Sequence, residues 1–308
     1  MNKVSLHNDS PLLNRRNFIA ATAATAGVLL AAPVIGKASR IFTVSDSFTV
    51  KQVIDLFISQ IKGAPFANTV DTLKSGSPET KVTGIVTAMF ATIEVIRKAI
   101  DLGANFIIAH EPTFYNHTDD VSWLQQDDVY RYKADLLKQH GIAVWRNHDY
   151  IHSLVPDGVT SGVLAQLEWQ KYADTTIPNI ITLPPMDLKD LIGHAKKKLN
   201  IDKVRFIGNP AQSCKRVLLI PGSAGGRRQI EAIRQVKPEV LICGEISEWE
   251  TAEYVRDARA KGDNISLVIL GHIASEEPGS EFMLNWLREK LPSIKATHIS
   301  PGNSLSFL

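Results

Sequence analysis

The chain has 308 residues, and its 34 lysines and arginines nearly balance its 32 aspartates and glutamates, which gives a formal net charge of +2. This balance argues against a nucleic-acid-binding protein with a strongly basic surface. The two cysteines, Cys214 and Cys243, are too few for a disulfide scaffold or a thiolate zinc site. We expect two buried thiols, with a single bridge as the alternative, and any metal should have nitrogen and oxygen ligands.

Residues 1–38 are typical of an export signal. Arg15 and Arg16 precede an uncharged stretch rich in alanine and threonine, a pattern that resembles a twin-arginine signal peptide, and small residues precede Ser39. We expect cleavage there and export to the periplasm or another extracytoplasmic space, with a retained membrane anchor over 18–35 as the alternative. Cleavage removes four basic residues and one acidic residue, so the charge of +2 becomes −1. Neither nucleic acid nor stable membrane association is expected of the mature protein.

The remainder of the chain predicts alternating helices and strands. The first half predicts helices over 50–61, 92–102 and a segment ending before Gly141, and strands over 82–88, 105–109 and 142–145. The second half predicts helices over 188–199, 229–236 and 250–260, and strands over 216–220, 240–243 and 266–270. This order indicates an α/β protein with two similar lobes and largely parallel sheets.

A segment containing three prolines, residues 172–185, separates the two halves. Proline among threonine, aspartate and asparagine residues favours a loop. We therefore place the N-terminal lobe at 39–180 and the C-terminal lobe at 181–308, and expect a functional site in the cleft between them.

Two predicted strands lead into residues that commonly bind metals. The strand over 105–109 runs into His110 and Glu111, and the strand over 266–270 leads to His272 and, one helical turn later, Glu276. Because ligand sites form at the carboxyl ends of strands in α/β proteins, the two pairs can converge on one centre. Imidazole and carboxylate ligands predict one or two divalent ions of zinc, manganese or iron. For each pair alone, a hydrogen-bonded polar strand end is the alternative.

Four motifs together resemble the Nif-three-like dinuclear metal-centre proteins. They are 91–100 with 103–112, the segment 147–152, the Gly/Ser-rich turn 221–226 and the segment 271–276. The resemblance extends over almost the whole mature chain. It implies two metal ions per subunit, a homo-oligomer such as a ring-like hexamer, and ligands at His110, Glu111, His152, His272 and Glu276.

Two of the implied ligands depart from the family pattern. The family typically has a second histidine where this chain has Glu111, and an aspartate where it has His152. A carboxylate can span two cations with its two oxygens, whereas an imidazole normally ligates one. The bridging role would therefore fall to Glu111 or Glu276.

A hydrolytic metal centre also needs a general acid or base. His148 is our first choice for this catalytic role, followed by Asp149 and His117. His148 can instead orient a metal ligand, or form a solvated pair with His152 four residues later.

The Gly/Ser-rich turn predicts a weaker, anion-binding site. Glycines expose backbone N–H groups, a helix N-terminus is positive, and two guanidinium groups add charge. The residues concerned are Gly222, Ser223, Gly225, Arg227 and Arg228. A tight turn with solvated arginines is the alternative.

The sequence therefore predicts a metal-dependent hydrolase that acts on a small molecule, with phosphorylated and nucleotide-like compounds among the possible substrates. The alternative is a non-catalytic metal-binding or scaffold protein that forms a ring-like oligomer. An open coordination position separates the two, because catalytic centres keep one and structural centres are closed.

Overall fold

The structure is a computed structural model that describes residues 47–306 and 308. The predicted export signal lies outside the described residues. The helices are α1 (Val50–Ile58), α2 (Ile93–Asp101), α3 (Asp128–Gln139), α4 (Asp149–His152), α5 (Gly158–Gln166), α6 (Leu188–Leu199), α7 (Gly226–Val236), α8 (Glu253–Ala260) and α9 (His272–Lys290). Over the part of the chain described, no helix has the length and apolar character needed to cross a membrane.

The strands are β1 (Leu73–Ser75), β2 (Ile85–Ala88), β3 (Phe106–Ala109), β4 (Ala143–Arg146), β5 (Ile180–Asp187), β6 (Arg205–Ile207), β7 (Ser213–Ile220), β8 (Val240–Cys243), β9 (Ser266–Ile269) and β10 (Ala296–His298). They form two five-stranded sheets, ordered β1-β4-β3-β2-β10 and β5-β7-β8-β9-β6. Strands β1, β5 and β6 are antiparallel to their neighbours, and the other pairs are parallel. The prediction of an α/β fold with two largely parallel sheets is confirmed.

The central strands are buried at every position, because helices cover both faces of a parallel sheet. Register brings their carboxyl ends together: Ala109 of β3 lies beside Arg146 of β4, and Cys243 of β8 lies beside Ile269 of β9. The residues that follow β3 and β4 are therefore neighbours in space.

The first sheet also contains a strand from the C-terminal end of the chain. The last strand, β10, returns to pair with β2, so C-terminal residues complete the N-terminal sheet. Strand β5 begins at Ile180, where we placed the lobe boundary. The boundary itself stays a prediction.

Several predicted elements need correction. The segment 172–185 was expected to be a loop, but most of β5 lies in it. Pro184 and Pro185 are tolerated because β5 is an edge strand with an irregular register between Thr182 and Met186. The first helix ends at Ile58 instead of residue 61, and the helix predicted over 250–260 begins as a π-helical segment, Glu248–Ala252.

Helix α9 links the two halves by packing on α5. Gly162 of α5 approaches α9 so closely that a Cβ atom there would lie 2.2 Å from the carbonyl oxygen of Pro278. This contact fixes the start of α9, where His272 and Glu276 stand, relative to α4 and α5. The two cysteines, Cys214 and Cys243, are buried free thiols, as expected.

We predict that Gly162→Ala destabilises the fold, because the backbone of Pro278 cannot move away without opening the α5–α9 interface. The loss should be about 1–3 kcal/mol in the free energy of unfolding, measured by denaturant titration. Gly193→Ala is the control, since Gly193 is also helical but has open space around it. It should be neutral or stabilising by up to about 1 kcal/mol. Equal effects of the two substitutions would contradict the close packing.

Candidate metal centre

The residues that follow β3, β4 and β9 lie around one cavity of about 1380 Å³. Of the predicted ligands, Glu111, His152, His272 and Glu276 line this cavity, together with His148 and Asp149. His110 is buried directly behind them, with its Nε2 atom 3.4 Å from Glu276 Oε2. The structure thus brings all five predicted ligands to one place from both halves of the chain.

The position of His110 is fixed from two sides. Its backbone N–H continues the ladder of β3 by donating to Ala88 (3.1 Å), and its Nδ1 lies 3.1 Å from the carbonyl oxygen of Asn147. A carbonyl oxygen only accepts, so Nδ1 carries the proton. The other ring nitrogen, Nε2, is left to face the centre.

Three imidazoles form the first group of possible ligands: His110, His148 and His152. Their ring centroids lie 4.9 to 5.2 Å apart, and a nitrogen of each lies within 4.8 Å of the others. Two aspartates orient the imidazole rings of His148 and His152. Asp149 lies 3.0 Å from Nδ1 of His148, and Asp157 lies 2.8 Å from Nδ1 of His152. Carboxylates behind metal-binding histidines play this orienting role in many metal centres. Asp149, predicted as catalytic, is placed here behind His148.

The second group consists of His110, Glu111 and Glu276. Glu276 Oε2 lies 2.9 Å from Nε2 of His272 and 3.4 Å from Nε2 of His110, so its carboxylate stands between the two imidazoles. Glu111 Oε1 also lies 2.9 Å from Nε2 of His272. On its far side, Nδ1 of His272 is 3.0 Å from Glu245, which follows β8 and which the sequence analysis missed.

Charge within the site is unevenly distributed. Burial would lower the pKa of His272, but the carboxylates of Glu111 and Glu276 raise it to about 10. Burial and the neighbouring His110 lower the pKa of His148 to about 4, so its imidazole is neutral at pH 7. Burial opposes ionisation of Glu276, yet His110 and His272 hold its pKa well below the usual value. The carboxylates are thus stabilised by positive charge placed between them.

Arg146 at the end of β4 is fully buried behind Glu111. Its guanidinium donates to Glu111 Oε2 (3.2 Å) and to the carbonyl oxygens of His110 and His117. One oxygen of Glu111 is therefore held by Arg146, and the other faces His272. Asp119 balances the charge, 3.7 Å from Arg146 and 3.1 Å from Lys74.

Helix α4 is held in place by an aspartate that the sequence analysis missed. Asp71 is buried, and its carboxylate accepts from the backbone N–H groups of His148 (2.8 Å) and Tyr150 (2.7 Å). Asp149 closes the same contact from the helix by accepting from Thr69 Oγ1 and from the N–H of Val70. The segment before β1 therefore sets the orientation of His148 and His152.

The Gly/Ser-rich turn supports Glu276. A Cβ atom on Gly222 would lie 2.0 Å from Glu276 Oε1, and the N–H of Gly222 donates to Ser275 Oγ (3.0 Å). Of the residues proposed to bind an anion, Ser223 and Arg228 line the cavity, Gly225 precedes α7, and exposed Arg227 donates to Glu231. Anion binding by this turn stays a prediction.

The donor set suits a divalent transition metal. Nε2 of His110 is buried 3.4 Å from Glu276 Oε2 and has no hydrogen-bond partner in the described part of the chain. It belongs to the one residue that the two groups share. Buried imidazole nitrogens without a partner are unfavourable in an apolar core and favourable beside a cation. The residue groups can therefore hold a metal ion.

A family model described as Duf34/NIF3 (NGG1p interacting factor 3) matches residues 52–302. A Clostridium acetobutylicum protein named GTP cyclohydrolase 1 type 2 homolog is 26% identical over 217 residues, which cover 67% of this chain and 76% of the relative. A Chlamydia pneumoniae protein of the same name is 23% identical over 239 residues and covers 75% and 89% of the two chains.

Solved structures show the same fold. A hypothetical protein of Staphylococcus aureus superposes with a TM-score of 0.69 at 20% identity, over 85% of this chain and 100% of the other. A Bacillus cereus protein related to NIF3 superposes with a TM-score of 0.68 at 16% identity, over 86% and 99%.

We predict that Asp71→Ala lowers the free energy of unfolding by about 2–4 kcal/mol, because two buried N–H groups lose a charged acceptor. Denaturant titration measures the effect. Asp174→Ala is the control, since Asp174 also accepts from two N–H groups but is exposed. Its loss should stay below about 1 kcal/mol. A small effect at Asp71 would mean that α4 is held by other contacts.

We also predict that Gly222→Ala weakens metal binding by about 10- to 100-fold, because the new methyl group displaces Glu276. Zinc titration of the purified protein, followed by calorimetry, measures the affinity. Gly225→Ala is matched to it, since both glycines have positive φ but Gly225 has open space around its Cα. Equal zinc affinity of the two variants would contradict the role of Gly222 in placing Glu276.

Proposed function

The chain belongs to the Duf34/NIF3 family, and we propose that it is a metal-dependent hydrolase with a dinuclear centre between its two sheets. The observation that carries the proposal is the position of Glu276, whose carboxylate lies 2.9 Å from one imidazole and 3.4 Å from another. A carboxylate between two sets of ligands can serve both, as dinuclear hydrolytic centres require.

The two ions would have different ligands. One would be held by the three imidazoles of His110, His148 and His152, and the other by Glu111 and His272, with Glu276 shared. Nitrogen-rich ligation suits zinc or iron, and the second, more carboxylate-rich set also suits manganese. Glu111 offers the centre a single oxygen, because Arg146 holds the other. Of the two carboxylates considered from the sequence, Glu276 is the one whose Oε2 lies within 3.4 Å of imidazoles from both ligand sets, so the shared role would fall to Glu276.

Divalent cations bound by these residues would supply Lewis acidity, which would polarise a substrate oxygen and make water a better nucleophile at neutral pH. Other side chains of the protein hold the ligand side chains in position. Asp149 and Asp157 hold the rings of His148 and His152, and Arg146 fixes Glu111. The cavity is large enough for a small-molecule substrate.

If His148 is a ligand, its Nε2 atom is not free to carry a proton, and the general acid or base must be another group. We propose His117, whose exposed ring lines the cavity 5.9 Å from the ring of His148. Arg146 fixes the backbone of His117 through its carbonyl oxygen. His117 thus combines a held backbone with a ring that can reach substrate.

The name of the relatives points to GTP as one substrate to test. Two features of this chain favour a different small molecule: its departures at Glu111 and His152, and its proposed export by the twin-arginine route. GTP is scarce outside the cytoplasm. A ring-like homo-oligomer remains part of the proposal and rests on the family resemblance.

We predict close to two metal equivalents in protein purified from the exported fraction without added metal, measured by elemental analysis. His110→Ala should lose at least one of them, because Nε2 of His110 faces both ligand groups. His140→Ala is the control, since His140 is exposed at the end of α3 and should leave the metal content unchanged. No metal in the native protein would overturn the proposal, and a single equivalent would overturn its dinuclear part.

We predict that the metal-loaded protein hydrolyses at least one member of a panel of phosphoesters and cyclic amides. His117→Asn should keep the metal and lower kcat by about 100-fold or more, as expected for loss of a general acid or base. Full activity in this variant would exclude His117 from the role. Two bound ions without turnover on any substrate would favour the non-catalytic alternative.

A further inference from the structure

Helix α3 carries a lysine on its buried side. The two buried residues of this helix are Lys133 and, one turn later, Leu137. Lys133 is only 5% exposed, yet it lines the cavity of the candidate metal centre. Lysine is almost never buried unless its charge has a partner. The buried ammonium group of Lys133 would therefore be stabilised by an anionic partner in the cavity.

The contacts of Lys133 leave most of its hydrogen-bonding capacity free. Within residues 47–306 its acceptor is the carbonyl oxygen of Thr113, 2.6 Å from Nζ. An ammonium group has three N–H donors, so two are left for another partner. The rings of Tyr115 and Phe114, at 5.2 and 5.7 Å from Nζ to their centroids, add attraction for the charge but accept no conventional hydrogen bond.

A second unused polar group stands next to this ammonium. Thr113 is fully buried, and its hydroxyl oxygen has no hydrogen-bond partner in the described part of the chain. Thr113 lines the same cavity. Because the carbonyl oxygen of Thr113 holds Lys133, the hydroxyl and the ammonium belong to one stretch of cavity wall.

The acidic groups near this wall pair with cations other than Lys133. Asp119 pairs with Lys74 and Arg146, and Glu111 pairs with Arg146 and His272. Lys133 forms no ion pair within 4.0 Å among the residues that the structure describes. Burial lowers the pKa of Lys133 to about 8, partly opposed by Asp119, and the group still carries positive charge at pH 7. A bound anion would supply the counter-charge that Lys133 lacks.

We propose that Lys133 and Thr113 form the binding site for a phosphate group of the substrate. A phosphate offers several acceptor oxygens and nearly two negative charges, which match the free ammonium donors and the free hydroxyl. The site differs from the Gly/Ser-rich turn at 222–228. The inference rests on the proposed function in one respect, namely that the phosphorylated substrate is the one hydrolysed at the metal centre.

The test is isothermal titration of the full-length protein with inorganic phosphate, in metal-loaded and in chelator-treated samples of known metal content. Lys133→Met should weaken phosphate binding at least tenfold in both samples without changing the metal content. Thr113→Val keeps the backbone carbonyl and should weaken binding about three- to tenfold. Lys171→Met is the control, because Lys171 also lies over an aromatic ring, Tyr172, but is exposed. It should bind phosphate like the native protein.

Unchanged phosphate affinity in Lys133→Met, or no phosphate binding by the native protein, would overturn the inference. Acetate binding that depends on Lys133 as strongly as phosphate binding would also overturn it, in favour of a carboxylate ligand. If Lys133→Met does not fold, Thr113→Val decides. Metal content separates the two proposals. Binding that depends on Lys133 in a protein without metal would reject the metal centre alone, and binding independent of Lys133 in a two-metal protein would reject the phosphate site alone.

Discussion

The buried carboxylate of Glu276 is the group on which the arrangement of the site depends. It is only 5% exposed and lies beside imidazoles that follow β3 in the first sheet and β9 in the second. The backbone of the Gly/Ser-rich turn lies very close to this carboxylate. Gly222 makes the approach possible, because a Cβ atom there would overlap the carboxylate. Farther along α9, Gly162 does the same where α5 meets Pro278. The packing of the two halves and the geometry of the site therefore have one origin.

Arg146 makes this centre asymmetric. It neutralises one side of Glu111 and leaves a single oxygen directed at His272. On the other side of the site, His110 lies beside Glu276 and groups with His148 and His152. Glu111 and His152 each have a charged side chain behind them. Glu111 is backed by the buried guanidinium of Arg146, and His152 is backed by Asp157.

The sequence predicted the features that depend on local pattern. Apolar runs located the central strands, and the strand over 240–243 agrees with the structure at both ends, as does the helix over 188–199. His110, Glu111, His272 and Glu276 were found because they follow such runs. Strands β1 and β10 were not predicted, because three residues are too few to show the alternation of buried and exposed side chains that is typical of a strand. Helix α9 contains Pro278, which normally ends a helix.

Other parts of the site could not be read from local pattern because their partners are distant in sequence. Asp71 accepts a hydrogen bond from the backbone N–H of His148, 77 residues later, and the sequence around Asp71 has no pattern that predicts this contact. Arg146 and Lys133 are charged residues at positions that only the fold shows to be buried. Lys133 stands one turn before Leu137 on α3, and a lysine in an apolar stripe was the available signal. The role of Asp149 behind His148 likewise depends on contacts with Thr69 and Val70.

Anomalous diffraction from crystals of the natively loaded protein would show whether Glu276 lies between two metal ions. We expect two anomalous peaks, one beside His110, His148 and His152 and the other beside Glu111 and His272, with the Glu276 carboxylate between them. No peak in this cavity, or a single peak that Glu276 does not contact, would contradict it.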